Sequence, residues 1–339
     1  MVERLDRRIQ FLGGRWATFA NSFPYDAFDV GRSVHYTREV SAYAWAGTVQ
    51  SIEFVLRGNG FGFDHLGNGT GGGMAIYIDG VRTNSQAYTL GSNGDGALRR
   101  TTVTLPDSST ARRIRLDLPW RPVGPLQLAA GATLLDATPV NPSSLVVIGD
   151  SITEGAGATQ PWNSWALLAG RRLGINDVHV SGVGGTGYLK RGGSNFLNLR
   201  QRIDDVLEAV DGGPPDMVAI AGGLNDNDLP PEQVGVEAEA YFRALRAGAP
   251  EMVIVVFGPF AGYPGYENSS LPAIRDAIFA AAARVGGIKS VDVSRWVTPD
   301  TRDTIFRVRG ADGPHPMDTG HALYAQLAED AIRRLFDRL

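Results

Sequence analysis

From Leu145 onward, short runs of β-branched and other apolar residues alternate with stretches that have a helical pattern. The apolar runs cover residues 145–148, 178–180, 217–220, 252–257 and 290–293, and the helical stretches cover residues 162–173, 199–210, 231–247, 271–285 and 319–335. Strands that alternate with helices form βαβ units, in which helices cover both faces of a parallel sheet. The pattern therefore predicts an α/β domain with a parallel five-stranded sheet over residues 141–339.

The first 140 residues follow a different pattern, in which apolar and polar side chains alternate along short segments. The clearest segments are residues 51–56, 74–79, 101–105 and 113–118, with turn-rich stretches between them. A period of two places one face of a strand on a core and the other in water. Several short strands at this spacing predict an all-β sandwich over residues 1–140, and Asn141-Pro142-Ser143-Ser144 predicts the boundary.

Length and charge restrict the possible functions. A chain of 339 residues exceeds the usual size of one hydrophobic core, which favours two domains. The net charge of −4 provides no electrostatic footprint for nucleic acid. No segment approaches the ~20 apolar residues of a membrane span. We therefore expect neither a nucleic-acid partner nor a membrane span.

The chain contains no cysteine, which excludes disulfides, thiolate metal sites and a cysteine nucleophile. Its N-terminus is highly charged and lacks the apolar stretch of a secretory signal. Localisation stays open, since a cytoplasmic protein, a protein whose leader has been removed and a phage-particle component all fit these features. The oligomeric state is equally open.

Polar residues cluster where the predicted strands of the α/β domain end. Gly149-Asp150-Ser151 follows the first strand, a glycine-rich turn at 181–187 follows the second, and Asn225 follows the third. Asp312 and His315 come just before the last helix. Because ligands bind at the carboxyl ends of the strands in an open α/β sheet, these residues predict one site on one edge.

These residue types match the needs of acyl transfer. A serine hydroxyl is a poor nucleophile until a base removes its proton, and a histidine can do so near neutral pH. An aspartate can fix the tautomer of that histidine. Backbone N–H groups and an amide side chain can bind the oxyanion of the tetrahedral intermediate. The sequence therefore predicts a serine esterase that needs neither a metal nor an organic cofactor.

Four sequence blocks together resemble the SGNH/GDSL hydrolase superfamily: Gly149-Asp150-Ser151-Ile152-Thr153, Gly185, Asn225 and Asp312-x-x-His315. The resemblance covers roughly residues 145–339 and implies a flavodoxin-like fold. It also implies that Ser151 is the nucleophile, His315 the base and Asp312 the group that orients it. The oxyanion hole would consist of the N–H groups of Ser151 and Gly185 and the side-chain amide of Asn225.

The glycine of the second block has alternatives. Gly182 or Gly184 takes the place of Gly185 if the alignment shifts slightly, and the family's usual asparagine ahead of this glycine is missing. Asp150 resembles a supporting residue of the first block. His321 is a second histidine near the end of the chain, and its helical surroundings predict a capping or packing role.

The β-sandwich ahead of the hydrolase domain is similar to the jelly roll of two-domain carbohydrate esterases. Residues 76–80 are similar to a strand and turn of that jelly roll. This resemblance implies a short acyl ester as substrate, such as O-acetyl groups on an acylated polysaccharide. Two alternatives stay open: an esterase for lipids or lysophospholipids, and a virion or cell-surface binding module that carries the hydrolase fold.

Aromatic residues near the proposed catalytic edge are candidates for substrate contact. Trp162, Tyr188 and Tyr263 each fall on or near a loop at this edge, where an aromatic face could stack on a sugar ring. The acidic stretch 225–228 lacks the later glycine and glutamate of a calcium loop, so no metal site is expected there.

Overall fold

The computed structural model describes residues 8–13, 16–18, 33–35, 49–66, 73–83, 88–89, 98–106, 109–119, 123–136, 143–193, 196–210, 213–263, 265–266, 269–306 and 313–336. Contacts group these residues into two units. The first includes the described residues of 1–36 and 49–140, and the second includes the described residues of 141–339.

The described residues of the N-terminal unit form two antiparallel sheets. Its described strands are β1 (Ile9–Leu12), β2 (Trp16–Thr18), β3 (Ser33–His35), β4 (Val49–Arg57), β5 (Gly60–Leu66), β6 (Gly73–Ile78), β7 (Val81–Arg82), β8 (Tyr88–Thr89), β9 (Leu98–Thr104), β10 (Arg112–Pro119), β11 (Val123–Leu128) and β12 (Thr133–Leu135). One sheet has the order β1-β4-β10-β6-β7, with β12 paired to β4 and β8 to β6, and the other has the order β2-β3-β11-β5-β9. The predicted jelly-roll-like sandwich is confirmed.

Alternating apolar residues from both sheets form the core of the sandwich. Phe54 of β4 and Phe61 of β5 contact each other edge to face, with ring centroids 5.1 Å apart. Ile114 and Leu116 of β10 are fully buried in the same cluster. Because these residues recur with a period of two, the alternation in the sequence correctly identifies the core face.

The opposite face of β4 and β10 departs from the prediction that it lies in water. Ser51 and Asp117 are buried, and the Ser51 hydroxyl donates to Asp117 Oδ1 at 2.8 Å. Arg115 donates to both residues, at 3.0 Å to each. Hydrogen bonding of this kind lowers the cost of burying polar groups, so alternation alone does not reveal which polar face is exposed.

The C-terminal unit is the predicted α/β domain. Its elements are β13 (Ser144–Gly149), α1 (Ser151–Glu154), α2 (Trp165–Arg172), β14 (Asp177–Gly182), α3 (Asp204–Leu207), β15 (Met217–Ala221), α4 (Pro231–Gly248), β16 (Val253–Phe257), α5 (Leu271–Val285), β17 (Ile288–Val291), α6 (Arg302–Ile305) and α7 (Asp318–Phe336). The strands are parallel and have the order β14-β13-β15-β16-β17. This order is that of flavodoxin-like folds, which confirms the predicted fold class.

Helices pair on the two sides of this sheet. Helix α2 packs with α7, and α4 packs with α5. Strands β13, β15 and β16 consist almost wholly of buried apolar residues, as expected for a sheet that helices cover on both faces. Among the described residues, no helix is both long enough and apolar enough to cross a membrane.

Two helical stretches differ from their predictions. Residues 162–173 are divided into a 3₁₀ turn at Pro161–Asn163 and helix α2, with Ser164 extended between them. Residues 199–210 form a 3₁₀ turn at Arg200–Arg202 followed by the single turn α3, instead of one continuous helix. Arg202 and Asp205 are both buried within this segment and take polar partners in other elements. The partners of Arg202 and Asp205 therefore determine the backbone conformation of this segment, and the helical period of its apolar residues does not.

Strand β13 ends in a close approach at Gly149. A Cβ atom added there would lie 2.2 Å from both the Ala221 carbonyl oxygen and the Thr153 hydroxyl oxygen. Backbone atoms cannot move as a side chain can, so only glycine fits between β15 and α1 at this point.

We expect Gly149→Ala to lower the free energy of unfolding by roughly 2 kcal/mol, which is within the usual cost of overpacking. Gly193→Ala is the matched control, because a Cβ atom at Gly193 meets only the Phe196 ring at an ordinary 3.7 Å. Urea denaturation of the two variants measures the difference. Equal stability of the two variants would contradict the close approach.

Candidate active site

Ser151 begins helix α1 directly after strand β13. Asp150 is extended and caps the helix, because its carboxylate accepts the Ile152 N–H at 3.0 Å. Burial raises the pKa of Asp150 to about 7, against the opposing effect of the Ile152 N–H. The Ser151 side chain is half-buried at the carboxyl edge of the sheet. Asp150 therefore shapes the turn that presents Ser151, which fits its predicted supporting role.

His315 reaches Ser151 from the loop ahead of helix α7. The distance between His315 Nε2 and Ser151 Oγ is 2.9 Å, which is within hydrogen-bond reach. The two residues are 164 positions apart in the sequence. The structure thus brings together the predicted nucleophile and the predicted base.

Hydrogen bonds with two other segments of the chain fix the loop that carries His315 and the start of α7. The Met317 N–H donates to the Ile305 carbonyl at 2.8 Å. The Asp318 carboxylate accepts the Thr159 N–H at 2.8 Å and the Thr159 hydroxyl at 2.6 Å. Asp318 therefore joins the start of α7 to the loop after α1, a role that sequence reasoning missed.

Asp312, the predicted orienting residue, lies outside the described residues. The described chain resumes at Gly313, whose carbonyl accepts the Tyr263 N–H at 3.3 Å. The role of Asp312 therefore stays a prediction.

The glycine-rich turn after β14 lies beside Ser151. A Cβ atom added to Gly184 would lie 3.6 Å from Ser151 Cβ and 3.1 Å from Glu154 Oε2. Burial raises the pKa of Glu154 to about 7, and hydrogen bonding from the Gly184 N–H opposes this rise. The Val183 N–H donates to the Gly149 carbonyl at 3.1 Å. These neighbouring N–H groups are therefore already engaged.

Gly185 differs from its neighbours in the turn. Its φ angle of 74° lies in the left-handed region that favours glycine. Within the described part of the chain, the N–H of Gly185 has no hydrogen-bond partner, and neither has the N–H of Ser151. Both groups are thus available to a ligand. This favours Gly185 over Gly184 as the second-block glycine.

Asn225 follows strand β15 and is tied to the same turn. Its Nδ2 donates to the Thr186 carbonyl at 2.9 Å, which leaves the second N–H of the amide for another acceptor. The adjacent Asp226 is fully buried, and its carboxylate accepts the backbone N–H groups of residues 188, 189 and 190 at 2.7–3.1 Å. The two residues together fix the glycine-rich turn against the end of β15.

His321 has a structural environment that differs from that of His315. It is fully buried, its Nδ1 accepts the Trp165 N–H at 3.2 Å, and its Nε2 lies 3.2 Å from the Ala156 carbonyl. The Trp165 N–H is one of the helix-terminal donors that lack an intrahelical partner. Burial lowers the pKa of His321 to about 4. These contacts agree with the expected capping role.

Two of the three aromatic residues predicted to contact substrate are buried. Trp162 is 1% exposed and Tyr188 is 0% exposed, so neither ring offers a face to a sugar. This burial contradicts the prediction for both residues. Tyr188 instead packs edge to face on Phe242, with ring centroids 5.9 Å apart. Tyr263 is 46% exposed, and the Arg302 guanidinium lies 5.0 Å from its ring centroid.

The described residues of the site supply a serine hydroxyl in contact with an imidazole, and two backbone N–H groups without a partner among the described residues. Among these residues, no three acidic or histidine side chains are grouped to hold a metal ion. A hydroxyl in contact with an imidazole, beside unengaged N–H groups, can carry out nucleophilic acyl transfer.

We expect His321 to contribute to the pH dependence of stability. Its pKa falls from 6.5 to about 4 on folding, so its contribution is complete above pH 6.5 and is lost as the pH falls through 4. The loss amounts to about 3 kcal/mol. The stability difference between wild type and His321→Asn should therefore shrink by that amount between pH 7 and pH 4, as measured by urea denaturation. A constant difference would contradict the buried neutral histidine.

Three known proteins illustrate what this chain is similar to in sequence and in fold. A GDSL lipase of Mycobacterium tuberculosis is 33% identical over 196 residues, which cover 53% of this chain and 78% of the lipase. A salicylyl-acyltransferase from a tetracycline biosynthetic pathway superposes with a TM-score of 0.71 at 16% identity, covering 99% of this chain and 98% of the other. A family two carbohydrate esterase from Cellvibrio japonicus superposes with a TM-score of 0.67 at 15% identity, covering 98% and 96%.

The two structural likenesses extend over both units of the chain and concern the fold. Membership of a protein family follows from the sequence comparisons. Residues 147–323, which include Ser151, Gly185, Asn225 and His315, match the model of one family. The resemblance noted from the sequence is thereby confirmed, and the chain belongs to the GDSL-like lipase/acylhydrolase family.

Proposed function

We propose that the protein is a serine esterase in which Ser151 attacks the ester carbonyl and His315 acts as the base. The observation that carries this proposal is the 2.9 Å contact between Ser151 Oγ and His315 Nε2. Membership of the GDSL-like lipase/acylhydrolase family supports it independently.

The reaction proceeds in two halves. His315 Nε2 takes the hydroxyl proton as Ser151 Oγ bonds to the carbonyl carbon, and the tetrahedral intermediate collapses as the alcohol leaves with that proton. Water then attacks the acyl-enzyme while His315 again takes a proton, and the acid is released as the proton returns to Ser151. Asp312 is proposed to orient His315 in both halves.

The oxyanion is proposed to accept hydrogen bonds from the N–H groups of Ser151 and Gly185 and from Asn225 Nδ2. The absence of a partner for either N–H among the described residues supports this assignment. The Asn225 amide retains one N–H beyond its bond to Thr186. Removing one donor of this kind typically costs ~3 kcal/mol in the barrier.

We expect Ser151→Ala and His315→Ala each to lower kcat for a small acetyl ester by several orders of magnitude, because the two residues act as one unit. Ser290→Ala, at an exposed position on edge strand β17, is the matched control and should leave kcat unchanged. Steady-state kinetics and thermal unfolding of each variant check the result. Near wild-type turnover of folded Ser151→Ala would remove it as the nucleophile.

We further propose that the substrate is a short acyl ester, such as an O-acetyl group on a carbohydrate. The loops after the strands are rich in Gly, Asn, Asp and Thr, which favours a shallow polar site over a deep acyl pocket. The likeness of both units to a family two carbohydrate esterase supports a carbohydrate as the alcohol. Tyr263 is the exposed aromatic among the predicted contacts.

We expect kcat/KM to be much higher for acetyl esters than for octanoyl esters of the same alcohol. A panel of acetyl, butyryl and octanoyl esters measured beside acetylated and deacetylated xylan tests both the acyl group and the carrier. Release of acetate from the acetylated polymer is the expected result. A preference for octanoyl would favour a lipid esterase, the activity named in the M. tuberculosis relative.

A further inference from the structure

A buried guanidinium connects the segments that form the proposed active site. Arg202 is only 2% exposed, although arginine is seldom buried without partners. Its Nη2 donates to the Gly149 carbonyl at 2.8 Å, and its Nη1 donates to the Ser181 carbonyl at 2.8 Å and to the Ser181 hydroxyl at 2.9 Å. Nη2 also lies 3.3 Å from the Thr186 hydroxyl.

These acceptors belong to the segments on which the proposed reaction depends. Gly149 ends strand β13, two residues before Ser151. Ser181 lies in β14 and is the first residue of the glycine-rich turn at 181–187. Thr186 follows Gly185 directly, and its carbonyl accepts the amide of Asn225. One side chain therefore contacts the nucleophile segment and both ends of the turn that carries the proposed oxyanion donor.

Acidic side chains compensate the buried charge of Arg202. Burial lowers the pKa of Arg202, and the nearby carboxylates of Asp205, Asp150 and Glu154 oppose that shift. Asp205 also accepts the Ser181 hydroxyl at 2.6 Å, so Ser181 bridges the cation and this anion. Buried charges of opposite sign often add little net stability compared with apolar packing, so we assign this cluster a role in fixing geometry.

The planar guanidinium suits this arrangement better than a lysine would. It presents several donors in a rigid fork, whereas an ammonium group is a single point on a flexible stem. Donors aimed at an oxyanion must be held close to their productive position by supporting hydrogen bonds. Arg202 provides such support because it contacts both Gly149, which precedes the Ser151 segment, and Thr186, which directly follows Gly185.

We propose that Arg202 is a positioning residue that holds the glycine-rich turn, with Gly185, in register with Ser151. This inference rests on the proposed esterase function. The proposal predicts that replacing the guanidinium group of Arg202 weakens stabilisation of the transition state more than it weakens substrate binding.

The test compares Arg202→Lys with Arg200→Lys in the full-length protein. Arg200 lies in the same 3₁₀ turn, but it is exposed and pairs with Glu237. For Arg202→Lys we expect kcat on a small acetyl ester to fall about 10²- to 10³-fold, the effect of losing one oxyanion donor, with little change in KM. Arg200→Lys should behave as wild type.

A trifluoromethyl ketone gives a readout that a purely structural role would not change. Its adduct with a serine carries an oxyanion, so its affinity for Arg202→Lys should fall by the same factor as kcat/KM. Unchanged kcat in folded Arg202→Lys would overturn the inference. A fall in kcat without a matching loss of affinity for the ketone would overturn it as well.

Thr186→Val provides a second variant if Arg202→Lys does not fold. It is nearly isosteric and removes the Thr186 hydroxyl, which accepts from Arg202 and donates to the Val183 carbonyl at 2.7 Å within the same turn. Because both contacts hold the turn, we expect about a tenfold loss of kcat. A kcat equal to that of wild type would count against the inference.

Failure of the proposed function would instead be visible in the wild type, as absence of ester hydrolysis and of fluorophosphonate labelling at Ser151.

Discussion

Strand β13 is hydrogen-bonded to β14 on one side and to β15 on the other, and the candidate site depends on this pairing. Gly149 pairs with Gly182 of β14 and with Ala221 of β15, so three strands end at the same level of the sheet. The segments that follow these strands carry Ser151, Gly185 and Asn225. Because the chain reverses its winding direction at β13, these segments diverge and leave a crevice between them. The fold thus determines where a site can be, before any side chain is considered.

The edge of the sheet at which these three strands end contains many polar backbone and side-chain groups that are shielded from water. Buried polar groups destabilise a fold unless they are hydrogen-bonded. Here Asp150 caps α1, Asp226 accepts three consecutive N–H groups, and Arg202 donates to two strand-end carbonyls. Asp226 thus bonds to a loop at the site, Asp150 to the start of α1 and Arg202 to the ends of two strands. The same contacts therefore satisfy buried groups and make the loops rigid, while the N–H groups of Ser151 and Gly185 stay available.

Much of the fold and the centre of the site could be predicted from the sequence, because they depend on local patterns. Five apolar runs correspond to β13–β17, and the helices at 231–248 and 271–285 begin where the pattern indicates. Burial of individual polar and aromatic residues could not be predicted, since it depends on partners far away in the sequence. Trp162 lies in a 3₁₀ turn and Tyr188 on a loop, but both are buried, and the partners of Arg202 lie 16 to 53 positions away. No local period encodes such contacts.

The two histidines near the C-terminus show how environment and not residue type assigns a role. His315 lies half-buried, and its Nε2 is 2.9 Å from the Ser151 hydroxyl oxygen. His321 accepts a backbone N–H on Nδ1, which requires the remaining ring proton on Nε2, where the Ala156 carbonyl accepts it. Protonation of His321 would break the bond to Trp165 at the start of α2. A base must be able to gain a proton without loss of structure. His321 fails this condition, which supports the proposed assignment of the base to His315.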